Sequence, residues 1–149
     1  MMPLAILLIA VPTQTYWYSS VVADPLTDQT MVIVIGENAG VSGPGLCVRL
    51  TPGELSLYLS TSMHLGETTI PVTWRFDAGE PSTSNWTIST SGRSAIYAGD
   101  AWTALRTLLR SERVLIGFTP PGHNRRTFAF HTEGLREELV SSNFPMMFL

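Results

Sequence analysis

Arg75 and Asp77, two residues apart in Pro71-Val-Thr-Trp-Arg-Phe-Asp-Ala-Gly-Glu-Pro81, are the side chains whose types and spacing come nearest to chemistry. A guanidinium beside a carboxylate can grip an anionic ligand, meet a partner's acidic group or form a plain ion pair. Strand alternation puts Val72, Trp74 and Phe76 on one face, the core face, and Thr73, Arg75 and Asp77 on the other. Arg75 and Asp77 are then about 7 Å apart on the outer face. Two readings stay open: a polar cross-strand ladder that sets register, or an arginine presented to a partner protein or acidic ligand.

Other constellations point away from catalysis. Asp24 with Asp28, and Asp77 with Glu80, are the carboxylate pairs that could share acid and base work, but both lie in turns, where Asp is favoured for local backbone hydrogen bonds. His64, His123 and His131 fall in different elements without HExxH or other ligand spacing, so no metal site is expected. Nucleophile elbow, phosphate loop and dinucleotide fingerprint are missing, and Gly40-Val-Ser-Gly-Pro-Gly45 is a proline-containing turn that cannot imitate one, so no cofactor is expected either. Cys47 is the only cysteine, flanked by Leu46 and Val48, and reads as a small buried hydrophobe. Asn85-Trp-Thr87 matches a glycosylation sequon and reads as the start of a strand. The chain is not expected to be an enzyme.

These residues are placed by a mostly β chain. Short runs of β-branched and aromatic residues, bounded by Gly, Pro, Asn and Asp, predict strands at Tyr16 to Val22, Thr30 to Gly36, Leu46 to Leu50, Glu54 to Ser60, Thr69 to Asp77, Trp86 to Ser89, Ala95 to Tyr97, Val114 to Thr119 and Thr127 to His131. Thr51-Pro-Gly-Glu54 predicts a tight hairpin turn; Asn38 to Gly45, Gly79 to Asn85 and Pro120 to Asn124 predict further turns. Asp100 caps a helix running to Arg110, with Trp102, Leu105 and Leu109 on its apolar stripe. A second helix covers Glu133 to Ser142, with Leu135 and Leu139 one turn apart. The expected fold is a single-domain antiparallel sandwich or curled sheet of eight to nine short strands with two short helices.

Charged residues make up 14% of the 149-residue chain, against roughly 25% in an average soluble protein, and all nine basic residues are arginine. With a net charge of −3 and no cluster beyond Arg125-Arg126, nucleic acid is not an expected partner. Residues 1–19 form an apolar N-terminal segment whose run Leu4 to Val11 is too short to span a bilayer; it reads as a partial secretory signal or a packing arm. Residues 20–142 form the β-rich domain. Residues 143–149 form an apolar tail in which Phe144, Met146, Met147, Phe148 and Leu149 pack either on the chain's own domain or on a neighbouring subunit. Predicted strands and helices end by Ser142, so the tail is not expected to be needed for the core.

Asp24-Pro-Leu-Thr-Asp28, Arg75-Phe76-Asp77 and Phe130-His-Thr-Glu-Gly-Leu135, together with the order of elements over residues 20–140, resemble the VasI/TagO-like accessory proteins of bacterial type VI secretion. That resemblance implies a β-rich periplasmic, envelope or secreted protein without catalytic role. Family members commonly carry a second cysteine after the last helix, where this chain has Ser141-Ser-Asn143. The expected function is a non-enzymatic protein-binding or accessory module, an oligomer or part of an assembly. A structural subunit of a larger assembly, such as a phage or capsid decoration protein in a virion, is the alternative. Arg75, Asp77 and the five apolar tail residues are the candidate partner-binding positions.

Overall fold

The computed structural model describes residues 14–38 and 43–149. The apolar run Leu4 to Val11 lies outside the described residues, as does part of the turn expected between Asn38 and Gly45. Nine strands, β1 (Thr15–Ala23), β2 (Thr30–Asn38), β3 (Gly45–Thr51), β4 (Glu54–Ser60), β5 (Thr69–Phe76), β6 (Ser82–Ile88), β7 (Ser94–Ile96), β8 (Arg113–Phe118) and β9 (Arg126–His131), pair antiparallel in one sheet of order β1-β2-β3-β4-β7-β6-β5-β8-β9. Of the two architectures open in the sequence, the chain adopts the single curled sheet. The helices α1 (Ala101–Leu109) and α2 (Leu135–Ser141) pack on β4 and on β1 and β2 respectively.

Alternation along the strands supplies the core. Val32, Val34, Leu46, Val48, Leu57 and Leu59 come from the first four strands, and Val72, Trp74, Trp86, Ile116 and Phe130 from the others. Trp74, Trp86 and Tyr97 meet with ring centroids 4.6 to 5.4 Å apart, in the tilted and edge-on arrangements that aromatic quadrupoles favour. The β3–β4 hairpin turns on Pro52 and Gly53, the latter at φ 86°, which glycine adopts without penalty.

Two elements differ from their sequence reading. β6 begins at Ser82, within a stretch that reads as turn, because its polar first half pairs with β5, and Thr73 and Thr83 join their hydroxyls at 2.7 Å; cross-strand pairing outweighs weak propensity. α1 buries Ala104, Leu105 and Leu108, leaving Trp102 and Leu109 half-buried. Its start is as expected: Asp100 accepts from the N–H groups of Trp102 (3.1 Å) and Thr103 (3.3 Å) and from the Thr103 hydroxyl (2.7 Å), and these bonds hold its carboxyl below the ordinary range.

The sheet curls until its two edge strands meet, without a backbone ladder between them. Side chains make the join instead. The Thr15 hydroxyl accepts from the His131 N–H (2.8 Å) and donates to Asn38 Oδ1 (2.7 Å), while Asn38 Nδ2 donates to the Ala129 carbonyl (2.8 Å) and Trp17 Nε1 to the His131 carbonyl (2.9 Å). α2 lies against the same strands, and Ser19 donates to Glu138 at 2.6 Å. The Trp17 ring reaches its place only because its cross-strand partner is Gly36, where an added Cβ would sit 2.5 Å from the ring. Gly36→Ala is therefore expected to destabilise the domain by about 1–3 kcal/mol in a urea titration. A loss under about 0.5 kcal/mol would show that the ring is free to move aside.

Candidate functional site

Arg75 and Asp77 do not pair with each other. The strand ends at Phe76, and Asp77 turns to φ 51°, a left-handed conformation that Asp tolerates better than most residues. Its carboxylate accepts from the N–H groups of Glu112 (2.9 Å) and Arg113 (3.1 Å), and its own N–H donates to the Arg113 carbonyl (3.1 Å), fastening the end of β5 to the start of β8. Arg75 donates from Nε to the Gly79 carbonyl (2.7 Å) and from Nη2 to the Ala78 carbonyl (3.3 Å). The expectation that Asp77 shares the outer strand face with Arg75 is corrected: Arg75 holds the turn after β5, and Asp77 ties the end of that strand to β8. Asp77 also lines an open groove of about 730 Å³ with Glu112, Arg113, His131 and Glu133, where charges of both signs mix.

The remaining candidates are equally local. Asp24 accepts from the Leu26 N–H at 2.8 Å and Asp28 takes φ 59°, as turn residues do. His64 and His123 come together with Arg126 along a groove of about 480 Å³, while His131 stands at the seam. Among the described residues no group of three metal-ligating side chains converges. No described helix is long and apolar enough to cross a membrane.

The tail reading is also corrected. Residues Phe144, Met146 and Leu149 belong to or pack against the core; Met147, 85% exposed, and Phe148 face outward. The return of the chain has a local cause at the end of α2. Asn143 sits at φ 62°, its N–H donates to the Val140 carbonyl (3.1 Å), and the Phe144 N–H donates to the Leu139 carbonyl (3.0 Å). These are the two bonds of a Schellman cap, and the accompanying apolar contact is the one expected between Phe144 and Leu139, both buried. Phe144 and Phe148 then meet Trp102 at 5.9 and 5.7 Å, and Arg106 donates to the Phe148 carbonyl at 2.9 Å.

The arrangement best suited to recognition lies elsewhere, on the outer face of β1 to β4. Register places Tyr18, Ile35, Cys47, Tyr58 and Ile96 in one row across five strands. On one side runs Ser20, Ile33, Arg49 and Ser56; on the other run Tyr16, Glu37, Gly45 and Ser60. The same sheet's outer face over β5 and β6 is instead carried mostly by Thr69, Thr73, Arg75, Thr83, Asn85 and Thr87, with Pro71 among them, while over β8 and β9 Leu115 and Ala129 share it with Thr127. The first half of the sheet thus carries an apolar row at the centre of its outer face, flanked by mixed rows, where an antiparallel sheet ordinarily keeps its solvent face polar.

Tyr16 and Tyr18 are exposed at one edge of that face, whereas Cys47 at its centre is buried by its own neighbours. Burial pushes the Cys47 thiol up to about 11; the Tyr58 hydroxyl and Arg49 oppose the rise and the Glu37 carboxylate adds to it, so the sulfur is a protonated, inert hydrophobe at neutral pH. Burial, then Cys47, pushes Tyr58 up to about 12. Burial and the adjacent Glu37 raise Tyr18. Arg49 stacks over the Tyr58 ring with Cζ 5.4 Å from its centroid, and its Nε is buried with no hydrogen-bond partner among the described residues. None of these residues was singled out as a site from sequence, although Met31-Val-Ile-Val-Ile35 carries the signal: five apolar residues without alternation in an antiparallel strand.

Comparison with protein-family models yields no match, and neither do characterised proteins or solved structures.

Asp77→Ala should lower stability by about 1–3 kcal/mol, since two amide donors lose their acceptor and alanine resists the left-handed turn. Asp77→Asn, able to accept and to adopt that turn, should cost under about 1 kcal/mol, and equal losses in a denaturant titration would remove the clamp role. For the tail, Phe144→Ala should cost about 3–5 kcal/mol and Met147→Ala within about 0.5 kcal/mol. Deleting residues 144–149 should lower the melting temperature as well as any association. A truncated chain with an unchanged melt would restore the reading in which the tail lies outside the core.

Proposed function

We propose that this chain is a non-enzymatic protein-binding module, an accessory component of an envelope or secretion assembly as the VasI/TagO-like resemblance implies, docking through the outer face of β1 to β4. One observation carries the reading: the outer face over β1 to β4 has the row Tyr18, Ile35, Cys47 and Tyr58 at its centre, whereas the outer face over β5 and β6 is mostly threonine and asparagine. Covering the apolar half contributes about 1 kcal/mol for every 40 Å² of apolar surface withdrawn from water. Tyr and Arg at its centre are the residue types that anchor protein interfaces. Of the carboxylates weighed for acid–base work, Asp24 and Asp77 accept from main-chain N–H groups instead. The structural-subunit alternative drew its main support from the tail, most of which the core absorbs; the lysine-free, low-charge surface remains in its favour.

Photo-crosslinking in cells that produce the protein tests this reading. Benzoylphenylalanine in place of Tyr18 should give covalent protein adducts of discrete mass, and the same group in place of Asn85, exposed on the threonine-rich half, should give none. Equal adduct yields from the two positions, or none from either, would remove the docking role of this face.

A further inference from the structure

We propose that the partner on this face is a second copy of the chain, docked face to face about a two-fold axis that runs along the row Tyr18, Ile35, Cys47, Tyr58. The inference deepens the reading above and rests on it for the choice of face. What it adds comes from the placement of the two charges. Arg49 pairs with Ile33 in register, and Glu37 lies four residues further along β2, so they stand on opposite sides of the apolar row, about 14 Å apart along the strands. An axis lying in the interface, perpendicular to the strands and along that row, exchanges the two sides and keeps each strand opposite its own copy. Arg49 then faces the copy's Gly45, which has no side chain to obstruct it, with the copy's Glu37 one strand, about 4.8 Å, to the side. Two such pairs form, one on each side of the apolar row.

The alternatives are less complementary. An axis parallel to the strands would set Arg49 near its own copy, an arrangement that like-charge repulsion opposes. A partner of unrelated sequence would have to supply both an acid for Arg49 and a base for Glu37, whereas the copy already carries both at the required spacing. Five strands by four residues span about 24 by 14 Å, a footprint of roughly half the usual 800 Å² per partner, so the association is weak and concentration-dependent.

Sedimentation velocity of the full chain, from about 1 to about 500 μM, reads the dimer directly. The native chain should pass from monomer to dimer in that range. Glu37→Arg and Arg49→Glu, each folded by circular dichroism, should weaken the dimer about tenfold or more, because each sets two like-charged pairs in the interface. The decisive sample is an equimolar mixture of the two variants. In the mixed dimer both charge pairs are opposite in sign again, so association should return to within about threefold of native. Should a reversal variant fail to fold, Glu37→Gln and Arg49→Gln replace it, and each must weaken the dimer at least about threefold. A native chain monomeric throughout, charge variants that dimerise as well as native, or a mixture that fails to associate overturns the proposal. A monomeric chain that still gives Tyr18 adducts with a different protein overturns the second copy while leaving the binding-module reading in place. A chain that dimerises only after deletion of residues 1–13 overturns it too, in favour of its own N-terminal segment as the occupant.

Discussion

A sheet that curls without closing leaves two edge strands whose outward N–H and C=O groups have no strand partner, and the position of every other element here depends on how those edges are joined. β1 and β9 meet through side chains rather than a ladder: the Thr15 hydroxyl, the Asn38 amide and the Trp17 indole satisfy the N–H and carbonyl of His131 and the carbonyl of Ala129. Three side chains can bridge a gap that backbone pairing cannot, because they extend the reach of one strand without requiring the other to match its pleat. Trp17 has a second part, since its ring fills the space over Gly36 while its N–H makes the bridge. α2 packs on the first two strands beside the seam and buries Leu135 and Leu139, so the join is covered as well as bonded.

With β1 and β2 held in that way, the register of the first four strands decides which residues share the outer face. The inner face is apolar around the curl: aliphatic over β2 to β4, aromatic where Trp74, Trp86 and Tyr97 meet. Outside, threonine and asparagine predominate over β5 and β6, while tyrosine, isoleucine and a buried thiol form the central row over β1 to β4. Since the inner face already supplies the core, stability of the single chain does not call for the second apolar surface. Its cost in solubility makes sense when something covers it.

The polar groups that drew the eye in the sequence turned out to be fastenings. Asp77 replaces a ladder bond at the place where β5 ends, and Arg75 caps the carbonyls of the turn that follows. Asn143 does the corresponding work at the end of α2, where its left-handed backbone sends Phe144 back into the core and carries Met146 and Leu149 with it. That return was legible in principle, because an Asn followed by an aromatic residue, with a leucine five residues before it, is the sequence form of a Schellman cap.

Local chemistry determined most of what the sequence could settle. All nine strands, the Pro52-Gly53 hairpin and the Asp100 cap follow from alternation, from fixed dihedral preferences and from a carboxylate's affinity for free helix N–H groups, none of which needs a distant residue. The inward side of β5 was equally readable, with Val72 and Trp74 buried and Arg75 exposed. The polar start of β6 was not, because only β5 alongside makes Ser82 to Asn85 a strand. The seam and the candidate face belong wholly to the tertiary structure. Thr15 and His131 are 116 residues apart, and the row from Tyr18 to Ile96 draws on five strands. Alternation says that a strand has two faces, but only the order and register of the sheet say which neighbours complete each face and whether the sum is a surface for water or for another protein.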